Sequence, residues 1–106
     1  MTYDVCYEVN GYFAVDVKNT DIDKAFQEAE SAYYDADFGE LHDIQSEEHK
    51  NDGDGTVIFK ISGRYYTNVT ADTRKKAEHF AEMNWCDADF GVLRDVSGQM
   101  HSLECA

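Results

Sequence analysis

The chain has 106 residues, with 22 Asp and Glu against nine Lys and Arg, a formal net charge of −13, and 42% hydrophobic residues. That length suits one domain, and six Phe, seven Tyr and one Trp are enough for a packed interior, which speaks against disorder. The acidic balance excludes direct binding to nucleic acid or to an anionic membrane, because both need Lys and Arg to neutralise phosphates.

Displacing the sequence against itself by 52 positions aligns residues 5–44 with 57–96 without a gap, and 14 of the 40 pairs are identical. This is a tandem duplication. It divides a single domain, 1–106, into repeat one (3–46), a linker (47–55) and repeat two (56–98). The predicted class is α+β: two β-β-α-β units sharing one antiparallel sheet, with both helices on one face, since neither unit alone could bury its helix.

In chain order, Tyr3, Val5, Tyr7 and Val9 alternate as a strand. Asn10-Gly11 then gives a strong hairpin signal, with Phe13, Val15 and Val17 on the returning strand. A helix follows, capped by Thr20 with Asp21 and Asp23 in its opening turn, and with Ile22, Ala25, Ala29 and Tyr33 as its apolar stripe. A third strand is expected over 40–44. The second half repeats this plan: Val57, Phe59 and Ile61, a turn at Ser62-Gly63, then Tyr65, Thr67 and Val69. Its helix takes Asp72 as cap and Ala77, Phe80, Ala81 and Trp85 as stripe, and its third strand covers 92–96. Residues 100–103 add a short edge strand.

The longest repeated word is Asp-Ala-Asp-Phe-Gly, at 35–39 and again at 87–91. It falls where each helix ends, so it reads as a structural joint: Gly39 and Gly91 supply left-handed residues, while Phe38 and Phe90 turn back into the core. Asp35, Asp37, Asp87 and Asp89 can accept backbone N–H groups in the turn, although carboxylates at a helix C-terminus oppose the macrodipole. The kinase signature with the same three letters needs a Gly-rich loop and a catalytic loop that are absent from this sequence. Residues 51–59 resemble a calcium loop only at Asp52, Asp54 and Gly55; Lys50 and Ile61 occupy positions that need acids.

His42, His49, His79 and His101 lack metal spacing, and Cys6, Cys86 and Cys105 follow no redox or metal pattern. No nucleophile–base constellation is visible, so the sequence predicts no enzyme, no cofactor and no metal. No apolar run approaches the roughly 18–20 residues that span a bilayer, and the opening "MTYDVCYEV" shows no signal-peptide pattern, which predicts a cytoplasmic chain.

Acidity is uneven between the repeats. Residues 1–52 hold 14 acids and three bases, a net of −11; residues 53–106 hold eight acids and six bases, a net of −2. The expected partner-binding surface is therefore Asp23, Glu28, Glu30, Tyr34, Glu40, Glu47, Glu48, Asp52 and Asp54. Such an array can imitate a phosphate path and dock on a basic protein groove with fast, salt-sensitive association. The competing reading is a generic adaptor or self-associating module that uses sheet edges or aromatic surface.

The run "IFKISGRYYTNVTADTRKKAEHFAEMNW" with "DADFGVLRDV" after it resembles the small DpnD/PcfM-like proteins of bacterial mobile elements, in a pattern that covers about 40 residues of each half. The resemblance implies a plasmid, phage or conjugative-element origin and a bacterial host cytoplasm, and carries over no catalytic residues. Small acidic proteins of such elements include anti-CRISPR inhibitors. The expected function is thus a non-enzymatic nucleic-acid mimic that occludes a nucleic-acid-guided nuclease or another nucleic-acid-binding protein.

Overall fold

The computed structural model describes residues 1–18, 21–51 and 55–106. Six elements follow in order: β1 (Thr2–Asp16), α1 (Ile22–Asp35), β2 (His42–Asn51), β3 (Thr56–Thr70), α2 (Arg74–Asp87) and β4 (Arg94–Cys105). The strands form one sheet in the order β2-β3-β1-β4, antiparallel throughout. This α+β connectivity is the split β-α-β plan of ferredoxin-like folds, an architecture that hosts many unrelated functions.

The halves are therefore β-α-β, not β-β-α-β, because neither expected hairpin exists. β1 and β3 each run as a single 15-residue strand straight through Asn10-Gly11 and Ser62-Gly63. The short third strands are likewise longer than expected. β2 extends to Asn51, into the predicted linker, and residues 100–103 belong to β4 rather than to a separate edge strand.

The register is symmetric with respect to the 52-residue repeat of the sequence. β1 and β3 pair over their whole length, and Asn10, whose equivalent is residue 62, faces Ser62. A pseudo-twofold axis thus passes through the Asn10–Ser62 pair. The second strands of the halves are exchanged: β2 pairs with β3 of the other half, and β4 pairs with β1. Neither half completes its own sheet.

Odd-numbered positions of β1 and β3 form the core with the helices. Val9, Val57 and Ile61 are fully enclosed, joined by Val5, Tyr7, Phe13, Phe59 and Tyr65. α1 lies over one end, with Phe26 and Tyr33 against Phe59. α2 lies over the other end, where Trp85 stacks on Tyr7 with ring centres 5.0 Å apart. Ala25 and Ala29 on α1, and Ala77 and Ala81 on α2, have no exposed surface, which lets each helix sit close on the sheet. Two members of the predicted stripes leave the core: Ile22 is 52% exposed and Phe80 40%. They lie toward the outer sides of helices whose close approach is made by the alanines.

Laying helices end to end over long strands gives a rod of 57 × 18 × 18 Å. Its radius of gyration of 17.0 Å exceeds the roughly 13 Å of a compact chain this long. Fifteen strand residues at about 3.3 Å each account for most of the length.

Candidate functional site

α1 is capped by Asp21, one residue later than the expected cap. Its carboxylate accepts the backbone N–H groups of Asp23 and Lys24 at 3.0 and 3.2 Å. Thr20 lies outside the described residues. The same displacement holds in α2, where Thr73 rather than Asp72 is the cap, accepting from the Lys76 N–H at 3.2 Å. Residues 21 and 73 are equivalent under the repeat, so both helices start at the same place in their units.

At their C-terminal ends the two Asp-Ala-Asp-Phe-Gly words meet each other. Gly39 and Gly91 both stand in the left-handed region, at φ 60° and 61°, and Phe38 and Phe90 are buried. Asp37 accepts the Gly39 N–H and Asp89 the Gly91 N–H, each at 2.8 Å. Across the axis, Glu40 N–H donates to the Asp89 carbonyl at 2.8 Å and Val92 N–H to the Asp37 carbonyl at 3.1 Å. A β-carbon at either glycine would collide with the opposite Asp carbonyl oxygen. The repeated word is thus a reciprocal clasp between the halves. Asp37 and Asp89 are held there by turn hydrogen bonds in spite of the unfavourable helix dipole, whereas Asp35 and Asp87 are the exposed last residues of their helices.

The clasp also recruits Glu40, whose carboxylate accepts the Asp89 N–H at 2.9 Å. Of the other predicted interface residues, Asp23, Glu30 and Tyr34 project from the outer face of α1, with Tyr34 75% exposed. Glu28 is half-buried and accepts the Lys18 N–H at 2.9 Å. Glu47 and Glu48 are strand residues on β2, opposite Lys60 and Phe59. They therefore point to opposite faces of the sheet, Glu48 to the helix side and Glu47 to the open side. Asp52 and Asp54 lie outside the described residues. The predicted set divides accordingly: Asp23, Glu30, Tyr34 and Glu48 share the helix side, and Glu47 does not.

Charge segregates the same way. Residues 21–41, which contain α1 and its exit, hold seven acids and one base; the equivalent residues 73–93 hold four acids and three bases. Arg74 and Glu78 pair within α2 at 3.6 Å, and Lys76 pairs with Asp72, just before the cap, at 3.7 Å. No charged or polar residue is buried among the described ones, so these carboxylates face solvent.

Sequence reading missed the open face of the sheet. There Lys60 and Arg64 on β3 and Arg94 on β4 stand among Glu8, Asn10 and Tyr12 of β1. A shallow concavity of about 430 Å³ is lined by Glu8, Asn10, Asp43, Gln45, Ser62 and Arg64. Tyr66 donates to the Asp43 carboxylate at 2.6 Å, and this bond holds its hydroxyl above the ordinary tyrosine range. Cys6, opposite Tyr66, is buried, and burial pushes its thiol up. The signal for this face was the even-numbered positions of β1 and β3, once both are read as unbroken strands.

Among the described residues no cluster of three or more His, Cys, Asp or Glu is placed to hold a metal ion, and no helix is long and apolar enough to cross a membrane. No family model, curated protein or solved structure matches this chain.

Proposed function

We propose that this chain is a non-enzymatic acidic binding protein that acts as a nucleic-acid mimic, in the manner of mobile-element inhibitors of the anti-CRISPR kind, and occludes a basic nucleic-acid-binding protein in a bacterial cytoplasm. The observation that carries this reading is the acidic helix side of a narrow rod: seven acids against one base over residues 21–41, with none of them buried.

The partner under this reading is a groove lined with Arg and Lys, such as that of a nucleic-acid-guided nuclease, and the fold supplies rigid spacing of carboxylates in place of phosphates. Tyr34 would add exposed aromatic surface on that side, where base-like stacking or cation–π contact with Arg becomes available.

The test is capture from a nuclease-treated bacterial lysate with tagged protein, at low and then high salt, with mass spectrometry of what binds. A nucleic-acid-handling protein retained at low salt and released at high salt is expected. The same capture with Asp23→Lys, Glu30→Lys and Glu48→Lys combined should lose it. Retention by that charge-reversed variant would sink the proposal.

A further inference from the structure

The two edges of the sheet are equivalent by the repeat but differ in chemistry. Each edge strand carries two irregularities against its neighbour: in β2 between His42 and Gln45 and between Glu48 and Lys50, in β4 between Arg94 and Ser97 and between Met100 and Ser102. Between them runs a regular stretch, Gln45-Ser46-Glu47-Glu48 in β2 and Ser97-Gly98-Gln99-Met100 in β4. An open edge presents unpaired N–H and C=O groups, and charged side chains are a usual guard against another strand adding there. β2 has that guard in Glu47 and Glu48. β4 has none: from Val96 to Leu103 it contains no Asp, Glu, Lys, Arg or Pro.

We infer that the β4 edge is an interface for a second copy of this chain, the two β4 strands pairing antiparallel about a twofold axis at Gln99 to make one eight-stranded sheet. Charge complementarity selects this register. It places Arg94 of each copy opposite Glu104 of the other, and both residues belong to the open face, since they lie opposite Tyr12 and Asp4 of β1. Each side of Gln99 contains one of the two irregularities, so the residue count stays matched outward to the ion pairs. The neighbouring registers that keep the faces of the two sheets aligned, centred on Gly98 or on Met100, would set Arg94 opposite Ser102 or Ala106 and make no ion pair. The same pairing of two β2 strands would bring Glu47 and Glu48 together and is disfavoured.

Beside this edge, Trp85, Asp89, Phe90, Leu93 and Val96 line a shallow concavity of mixed character and about 300 Å³. It lies next to the regular run, because Trp85 packs directly over Gly98. Strand pairing carries the association.

The inference rests on the edge and not on the acidic helix side, and the two respond to salt in opposite directions. Two molecules of net charge −13 repel, so screening favours their pairing, whereas docking on a basic groove weakens. Sedimentation of the full chain across protein concentration at 50 and 300 mM NaCl should give twice the monomer mass at high concentration, with a larger dimer fraction at 300 mM. Gln99→Glu, which sets two carboxylates face to face on the axis, should return the monomer, and Arg94→Glu should do the same. Arg94→Glu combined with Glu104→Arg should restore the dimer, a rescue that no general loss of folding could imitate; thermal melts confirm that each variant is folded. A monomer at every concentration and salt, or a dimer indifferent to Gln99→Glu, would overturn the inference. Capture of a basic partner by the Gln99→Glu variant stays as in the parent, so failure of one proposal leaves the other standing.

Discussion

Gly91 has two independent reasons to be glycine. At φ 61° any L side chain is strained, by about 1–2 kcal/mol, and a β-carbon would also strike the Asp37 carbonyl oxygen across the axis. That carbonyl accepts the Val92 N–H, so movement to relieve the clash opens the clasp. Gly91→Ala should therefore cost more than the dihedral alone, about 3 kcal/mol in a urea titration. Gly39→Ala should behave alike, and the double variant should cost less than the sum, because one opening of the clasp relieves both. Cys6 offers a different residue-scale test. Burial raises its thiol above the ordinary value, so in the alkaline window the unfolded chain ionises first and binds fewer protons than the native one. Stability is thus fully present below about pH 8.5 and declines as pH rises through the native value. Chemical denaturation at pH 7.5, 8.5 and 9.5 should show that decline, and Cys6→Ala should flatten it. A slope unchanged in the variant would assign the effect elsewhere.

The elements show why neither expected hairpin forms. Asn-Gly and Ser-Gly are strong turn signals, but glycine is also what a strand needs where another segment crosses close to it. At Gly11 a β-carbon would lie 2.7 Å from Leu93 Cγ, and at Gly63 it would lie 2.8 Å from Leu41 Cγ. The sequence did hold the correct answer. A two-residue turn at 10–11 makes residues 9 and 12 partners on one face, so the inward set would change from odd to even positions. Instead Tyr7, Val9, Phe13 and Val15 keep odd parity without a break, which only a single strand allows. Helix positions were legible because alanines four apart next to an aromatic leave one packing solution, whereas the exchange of β2 and β4 between halves was not, since pairing partners depend on contacts between segments distant in sequence. If space rather than backbone freedom is the reason for glycine, Gly11→Ala should destabilise by about 1–3 kcal/mol, as overpacking does. Leu93→Ala should cost about 2–5 kcal/mol through its cavity. The two together should cost clearly less than their sum, since each creates or fills what the other needs; strict additivity in denaturant titrations would assign the cost to the Arg94 carbonyl, 2.9 Å from the added β-carbon, and not to Leu93.

On the scale of the whole molecule, the acids that define the candidate surface work against the fold that carries them. Net charge this far from zero repels itself, and the pairs Arg74–Glu78 and Lys76–Asp72 are exposed and contribute at most about 1 kcal/mol each. Repulsion is densest over residues 21–41, where seven acids surround one lysine. With a screening length of about 30 Å at 10 mM salt, those charges act on one another along more than half the 57 Å rod; at about 8 Å in physiological salt, only neighbours do. The melting temperature should therefore rise with NaCl, by about 5 °C between 10 and 300 mM if screening recovers about 1 kcal/mol. A fold held by its ion pairs would lose stability over the same range. Glu30→Lys, on the exposed side of α1, should raise the melting temperature at 10 mM and make less difference at 300 mM. Replacing that acid would then stabilise the protein while weakening any basic partner's grip. A rise in stability coupled to a loss of capture is what selection for a docking surface predicts; stability that falls on removing the acid would make the charge a structural feature.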